Sequence, residues 1–388
     1  MYNRDLKDEI LAMSKVYPVT TVIGPRQSGK TFLTQHCFPK KPYVNLEDLS
    51  ERAFAEEDPH AFLARYPDGA IIDEIQRVPA LLSYIQVRVD QQKKDGLFIL
   101  TGSHQLDLHA AITQSLAGRT ALLKLLPLSL SECLQNGLAF PINETLLKGG
   151  FARVHQKGLQ PYKFYSHYCQ TYVEKDVRQI INVRDLSHFQ RFMRLLAARV
   201  SNTLNANDIA SDLGVSSPTI QQWFSILEAS HLIFRLPPYL ENFGKRIIKT
   251  PKFYFTDTGL VCYLLGIETE NQLDRDPLRG RIFENAVVLE ALKTRYNQGL
   301  DANLYYYRNQ QQLEVDLIYE SGFNIVPIEI KVSQTFQKKF LQGLDKFTEL
   351  SNGRVQESYL VYGGDSEQRV GQHRVMHYRH IHKLLSRY

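Results

Sequence analysis

Apolar and polar positions sort the first 125 residues into short runs and amphipathic stretches. Residues 18–23, 42–47, 70–74, 97–100 and 120–125 are apolar runs of strand length, several rich in β-branched residues. They predict buried parallel strands. Between them, 6–16 carries Leu6, Ile10, Leu11 and Met13 at helical spacing, and 32–38 allows two helical turns. Asp58 and Pro59 open a helix to Tyr66, and Val78 and Pro79 open another with Leu81, Leu82, Ile85 and Val89 on one face. The residues after Glu47 read as an acidic loop. Strands alternating with helices imply a parallel sheet with right-handed crossovers and helices on both faces.

Past Gly149 and Gly150, a hinge by composition, the pattern changes. Helical periodicity runs over 163–181 and 188–201, the latter with Phe189, Phe192, Met193, Leu195 and Leu196 on an apolar face. A helix over 207–213, capped by Asn205 or Asn207, is followed by a turn over 214–218. A second helix over 219–229 turns Ile220, Trp223, Phe224 and Leu227 inward. With 232–238 and the stretch from Tyr239 onward as a β wing, this predicts a winged helix-turn-helix. The remainder reads as α+β: an amphipathic helix over 280–290, strands over 304–308, 314–319 and 324–331, a helix over 334–350, a strand over 359–362 and a terminal helix over 381–388. The expected domains are 1–148, 149–250 and 251–388.

The chemistry concentrates where the first strand ends. Gly24, Pro25, Arg26, Gln27, Ser28, Gly29, Lys30 and Thr31 fit the P-loop spacing, between a strand and a helix start. The two glycines let successive N–H groups point inward as a nest for phosphate oxygens, and the helix N-terminus adds partial positive charge. Lys30 is expected at the β- and γ-phosphates of ATP and Thr31 at Mg²⁺. Asp73 and Glu74 end the 70–74 run, at the carboxyl edge of the sheet where ligands bind. Asp73 is the expected second Mg²⁺ ligand and Glu74 the base for the attacking water. Of the hydroxyls ending the 97–100 run, Ser103, with Thr101 as alternative, is expected to sense the γ-phosphate or position water, or the segment is a simple turn. Arg119 either supplies transition-state charge, in cis or to a neighbouring subunit of a homo-oligomer, or is a surface arginine.

A second constellation lies in the last third. Alternation puts Glu329 and Lys331 on one face of their strand, and a hairpin brings Asp316 beside Glu329. With Glu284 from the preceding helix, these carboxylates suit Mg²⁺ or Mn²⁺ against a phosphodiester, and Lys331 suits its charge. In the helix-turn-helix, Ser216, Ser217, Thr219, Gln221 and Gln222 would face DNA, with Lys245, Arg246, Lys249 and Lys252 following as cations.

Composition changes this picture little. A net charge of +5 over 388 residues permits a nucleic-acid partner without arguing for one. Four scattered cysteines exclude a structural zinc site and fit a reducing compartment. No signal core or apolar span is present, so the expectation is cytoplasmic, without a membrane partner.

G-P-R-Q-S-G-K-T at 24–31, I-I-D-E-I-Q-R-V-P at 71–79, L-T-G-S at 100–103, S-L-A-G-R at 115–119 and L-P-L-S-L-S-E at 126–132 resemble the prokaryotic AAA-like ATPases that carry a carboxy-terminal nuclease-like domain. The match continues through 172–177 and 251–260, and departs at Gly149-Gly150-Phe151-Ala152, where such proteins often have proline in the fourth place. Glu284, Asp316 and Glu329-Ile330-Lys331 resemble the PD-(D/E)xK nuclease superfamily. The resemblance implies an AAA-type sheet, then a helical and winged-helix module, then a restriction-endonuclease-like α+β domain. Its function is expected to be a Mg-ATP-hydrolysing switch coupled to a nuclease-like domain that acts on or docks to nucleic acid. The alternative is a nucleotide-controlled signalling protein whose last domain is a catalytically silent platform.

Overall fold

The structure, a computed structural model, describes residues 2–103, 114–156, 159–173, 186–240 and 248–387. The 174–181 part of the expected connector helix, and Lys245 and Arg246, lie outside the described residues. Contacts divide the chain into two compact units. The first is Met1–Leu128 with Ile226–His231 and Tyr296–Leu300; the second is Ser129–Ser225 with Leu232–Arg295 and Asp301–Tyr388.

The first unit is built on a five-stranded parallel sheet of β1 (Val19–Ile23), β2 (Tyr43–Asn45), β3 (Ile71–Asp73), β4 (Phe98–Gly102) and β5 (Thr120–Lys124), in the order β2-β3-β4-β1-β5. Every residue of β1 is buried, as a strand covered on both faces requires. Val19 and Ile23 enter one core with Phe62, Ile72, Ile85 and Leu100. Val22 enters a second with Leu6, Ile10, Leu33 and Leu123. Each such side chain contributes about 1.5–3 kcal/mol by leaving water.

Its helices include α1 (Leu6–Met13), α2 (Lys30–Cys37), α3 (Leu49–Glu57), α4 (Pro59–Ala64) and α5 (Leu81–Gln92). The stretch read as an acidic loop is α3. Asp48 caps it by accepting from Ser50 and Glu51 N–H at 2.9 and 3.0 Å, and Ala55 and Phe54 join the core. Asp58 caps α4 in the same way, with Pro59 at its first position.

The second unit begins with α6 (Leu130–Gln135), α7 (Ile142–Lys148), α8 (Pro161–Tyr168) and α9 (Leu186–Ala198). Next come α10 (Ala206–Leu213), capped by Asn205, and α11 (Ser217–Ala229), whose last residues belong to the first unit. β6 (Ile233–Leu236) pairs antiparallel with β7 (Lys252–Phe255), and most of the stretch expected as a wing from Tyr239 onward, 241–247, lies outside the described residues.

α12 (Thr258–Leu264) is capped by Asp257, which also accepts from Gly150 N–H at 2.7 Å. A Cβ on Gly149 would meet Asp257 Oδ1 at 2.3 Å. The glycine pair therefore permits a close approach and is locked by it, instead of forming a free hinge.

After α13 (Glu270–Arg275) and α14 (Arg279–Asn297) comes a mixed six-stranded sheet: β8 (Leu304–Arg308), β9 (Glu314–Ser321), β10 (Asn324–Lys331), β11 (Ser358–Tyr362), β12 (Gln368–Val370) and β13 (His373–His377). Its order is β12-β13-β11-β10-β9-β8. β8, β9 and β10 are antiparallel neighbours, while β10, β11 and β13 run parallel. α15 (Gln342–Leu350) covers one face through Leu344 and Phe347, and α16 (Ile381–Leu385) closes the chain. Polar β12 escapes a hydrophobic reading because it lies at the sheet edge, and β13 beside it buries only His373 and Val375.

Candidate functional site

In the first unit the parallel sheet brings the carboxyl ends of β1, β3 and β4 to one edge. The loop from β1 into α2 is held open by glycine. A Cβ on Gly24 would fall 2.0 Å from the Leu125 carbonyl oxygen, and Gly29 caps α2 at φ +95°. Lys30 is 5 % exposed, and its Nζ turns back to donate to the Gly24 and Pro25 carbonyls at 2.9 Å each. Ser28 Oγ is buried with no hydrogen-bond partner among the described residues, a polar atom left for a ligand. Arg4, outside every motif, straps this loop by donating to Ser28 O at 2.8 Å and Leu126 O at 2.6 Å.

Asp73, 4 % exposed, lies beside the loop. Thr31 Oγ1 donates to its Oδ2 at 2.8 Å, Tyr43 Oη donates to the same atom at 2.9 Å, and Thr101 donates to Oδ1. These three are neutral hydroxyls, which leaves the carboxylate's charge for a cation to match, and the Thr31–Asp73 pair fits Mg²⁺ by donor chemistry. Burial, then the Asp73 charge, hold the Tyr43 phenol above its ordinary pKa and so keep it a donor.

Glu74 turns the chain at φ +57°, a left-handed conformation that costs a non-glycine residue about 1–3 kcal/mol and is concentrated at active sites. Ser103 Oγ donates to Glu74 Oε2 at 2.9 Å, and Gln76 donates to the same oxygen and to Ser103 Oγ. The two hydroxyls weighed as alternatives thus divide: Thr101 serves Asp73 and Ser103 serves Glu74. Gln76 was missed, although it stands two residues past the acid pair.

Arg119 lies at the other end of the sheet. Its carbonyl accepts from Val19 N–H, where β1 begins, about 13 Å from where that strand ends. Its guanidinium is engaged with Asp90 at 2.6 and 2.9 Å. The in-cis role is therefore not met.

In the second unit, β9, β10 and α14 assemble the other constellation. Asp316 Oδ2 accepts from Ile330 N–H at 2.8 Å and lies 3.7 Å from Lys331 Nζ, and Lys331 also contacts Glu329 Oε1. Glu284 faces β7 instead. It accepts from Tyr254 Oη at 2.7 Å and pairs with Lys252 Nζ at 3.1 Å. Lys252, with a side chain only 3 % exposed, also reaches Glu314 at 2.6 Å.

Burial, then the Asp316 charge, push Glu329 up to about 8 against the pull of Lys331. Burial also raises Glu284, to about 7, opposed by Lys252 and helped by Asp316. For Lys252, burial lowers the pKa, but Glu284, Asp316 and Glu314 outweigh it. Glu329 Oε2 is buried and unpartnered, so the Asp316–Glu329 pair offers hard oxygen donors that suit a divalent cation. Among the described residues, no group of three or more His, Cys, Asp or Glu side chains converges as metal ligands, and Glu284 is engaged by Lys252 and Tyr254. Among those residues, too, no helix is long and apolar enough to cross a membrane.

A family model described as an AAA domain matches residues 16–134. Two described as domains of unknown function, DUF8612 and DUF4143, match 140–271 and 279–381. Uncharacterized protein Mb2031c of Mycobacterium bovis and uncharacterized protein Rv2008c of Mycobacterium tuberculosis are each 30% identical over 325 residues, covering 82% of this chain and 71% of the relative. Among solved structures, the Walker-type ATPase PABY2304 of Pyrococcus abyssi aligns over 68% of this chain and 96% of its own, at 16% identity and a TM-score of 0.43. AMPPCP-bound DnaA from Aquifex aeolicus aligns over 58% and 86%, at 14% identity and a TM-score of 0.31. The chain belongs to one family with the mycobacterial proteins Mb2031c and Rv2008c, and its residues 16–134 match an AAA domain.

Proposed function

We propose that this chain is an ATP-hydrolysing switch whose second unit engages nucleic acid through a nuclease-type site. Backbone N–H groups of 26–29 and the start of α2 hold the phosphates. Lys30 exchanges the Gly24 and Pro25 carbonyls for the β- and γ-phosphates. Thr31 and Asp73 hold Mg²⁺, which when bound neutralises phosphate charge. Glu74, steadied by Ser103 and Gln76, takes the proton of the attacking water. Arg119 acts, if at all, in a neighbouring subunit of a homo-oligomer. The observation that carries this reading is the meeting of Thr31 and Asp73 at 2.8 Å beside a loop that keeps a buried hydroxyl unpartnered. ATP turnover tests it. Lys30→Ala and Glu74→Gln are each expected to slow it by about 100-fold or more. Undiminished turnover in both variants refutes the assignment.

In the second unit, which we read as restriction-endonuclease-like, Asp316 and Glu329 would hold Mg²⁺ or Mn²⁺, which supplies Lewis-acid polarisation of a phosphoryl oxygen. Lys331 offers its charge to the phosphate. The α10–α11 pair with β6–β7 serves as a winged helix docking DNA or other nucleic acid, with Ser217, Thr219, Gln221 and Gln222 toward it. A second reading, a catalytically silent interaction platform, draws support from Lys252: its buried ammonium already lies between Glu284 and Glu314, in a place a cation would otherwise take.

A further inference from the structure

The carboxylate site of the second unit opens into a cleft of about 770 Å³. Its floor is the end of β10, with Glu329 and Lys331. The turn between β8 and β9, with Gln311 and Gln312, makes one wall. The other is α15 and the 3-10 turn before it (Lys338–Leu341), which present Lys339 and Lys346.

Three features say what this space accepts. The first is room. Glu329 Oε2 is buried and unpartnered, and a Cβ on Gly343 would lie 3.8 Å from it and 3.4 Å from the Glu314 carbonyl oxygen. Gly343 has ordinary helical φ, so conformation does not call for glycine there; the missing side chain leaves the floor open.

The second is charge. The floor acids have partners, Glu314 in Lys252 and Glu329 in Lys331. Lys339 and Lys346 are exposed and form no ion pair among the described residues, and they outnumber Glu349, the remaining acid of the lining. An anionic ligand suits such a wall. The third is size. The volume lies within the roughly 300–1,000 Å³ that encloses a small ligand, which matches a nucleotide or two of a flexible strand. A rigid duplex presents its phosphates on a surface too broad to enter.

Resting on the reading of this unit as one that engages nucleic acid, we propose that the cleft takes one or two nucleotides of a single strand. Lys339 and Lys346 grip the phosphodiester and turn it toward Lys331, while the glutamine amides of the opposite wall meet base or sugar edges.

The test is fluorescence anisotropy of the full chain with a labelled twelve-residue oligothymidylate, an oligouridylate and a duplex of equal length, in EDTA and again in Ca²⁺. Variants are Lys339→Glu with Lys346→Glu, and Gly343→Leu, each checked for an unchanged melting temperature. The inference expects the single strands to bind more tightly than the duplex, with DNA and RNA separated by the two strand probes. The charge reversal is expected to weaken binding about tenfold or more and to reduce the salt slope by about 1.4, the share of two phosphates. Gly343→Leu is expected to weaken binding while folding normally. Should parent and variants bind a single strand equally, the cleft is overturned while engagement of nucleic acid stands. Preference for the duplex overturns the single-strand assignment. Should no probe bind the parent, both this inference and the reading beneath it fall.

Discussion

The two acid-bearing sites solve opposite problems with similar residues. In the first unit, Asp73 is buried among hydroxyls from Thr31, Tyr43 and Thr101, and its charge awaits a cation. In the second, Glu284, Glu314, Asp316 and Glu329 are laced together by Lys252 and Lys331. A site satisfied by neutral donors depends on its ligand for charge balance. A site laced by its own ammonium groups is partly neutralised by them, and any cation that enters must compete with them. The first arrangement suits a ligand that arrives and leaves with each turnover; the second suits a surface that persists between encounters.

Removing a lysine should break this contrast most visibly. Lys252→Met leaves Glu284 and Glu314 without their shared ammonium. Loss of one partner from a buried pair costs about 3–5 kcal/mol, so the unfolding free energy should fall by about that much and the denaturant midpoint should drop with it. An unchanged midpoint would mean that the lysine does not carry the charge balance argued here.

A smaller effect sharpens the comparison. Glu329 is raised in the fold to about 8 from the ordinary carboxylate value. A carboxyl shifted upward contributes its stability in full below the unfolded pKa and loses it as pH rises through the folded one. Without divalent ions, melting should therefore weaken between about pH 5 and pH 8. Glu329→Gln should flatten that slope and gain on the order of 1–3 kcal/mol at the upper end. A variant as pH-sensitive as the parent would contradict the assignment.

How much the sequence disclosed follows the same divide. The P-loop is contiguous, so Gly24, Lys30 and Thr31 announce themselves, and the acid pair follows a strand whose place in the sheet is set by crossover rules. What escaped notice arrives by topology. Tyr43 reaches Asp73 because β2 is the neighbour of β3, with Asn45 opposite Asp73. Arg4 reaches the loop from ahead of the first helix. In the second unit the strand carrying Lys252 and Tyr254 was read as a wing-side cation and an opening segment, and only its pairing with β6 and its approach to α14 reveal them as partners of Glu284. Residues that answer a charge across some thirty positions of sequence leave no local pattern.

The most direct measurement is calorimetric titration of ATP into Glu74→Gln, which should bind without hydrolysing. The account expects one ATP per chain in Mg²⁺, much weaker binding in EDTA, and none when Lys30→Ala is added. Equal heat and stoichiometry with Lys30 replaced would contradict it.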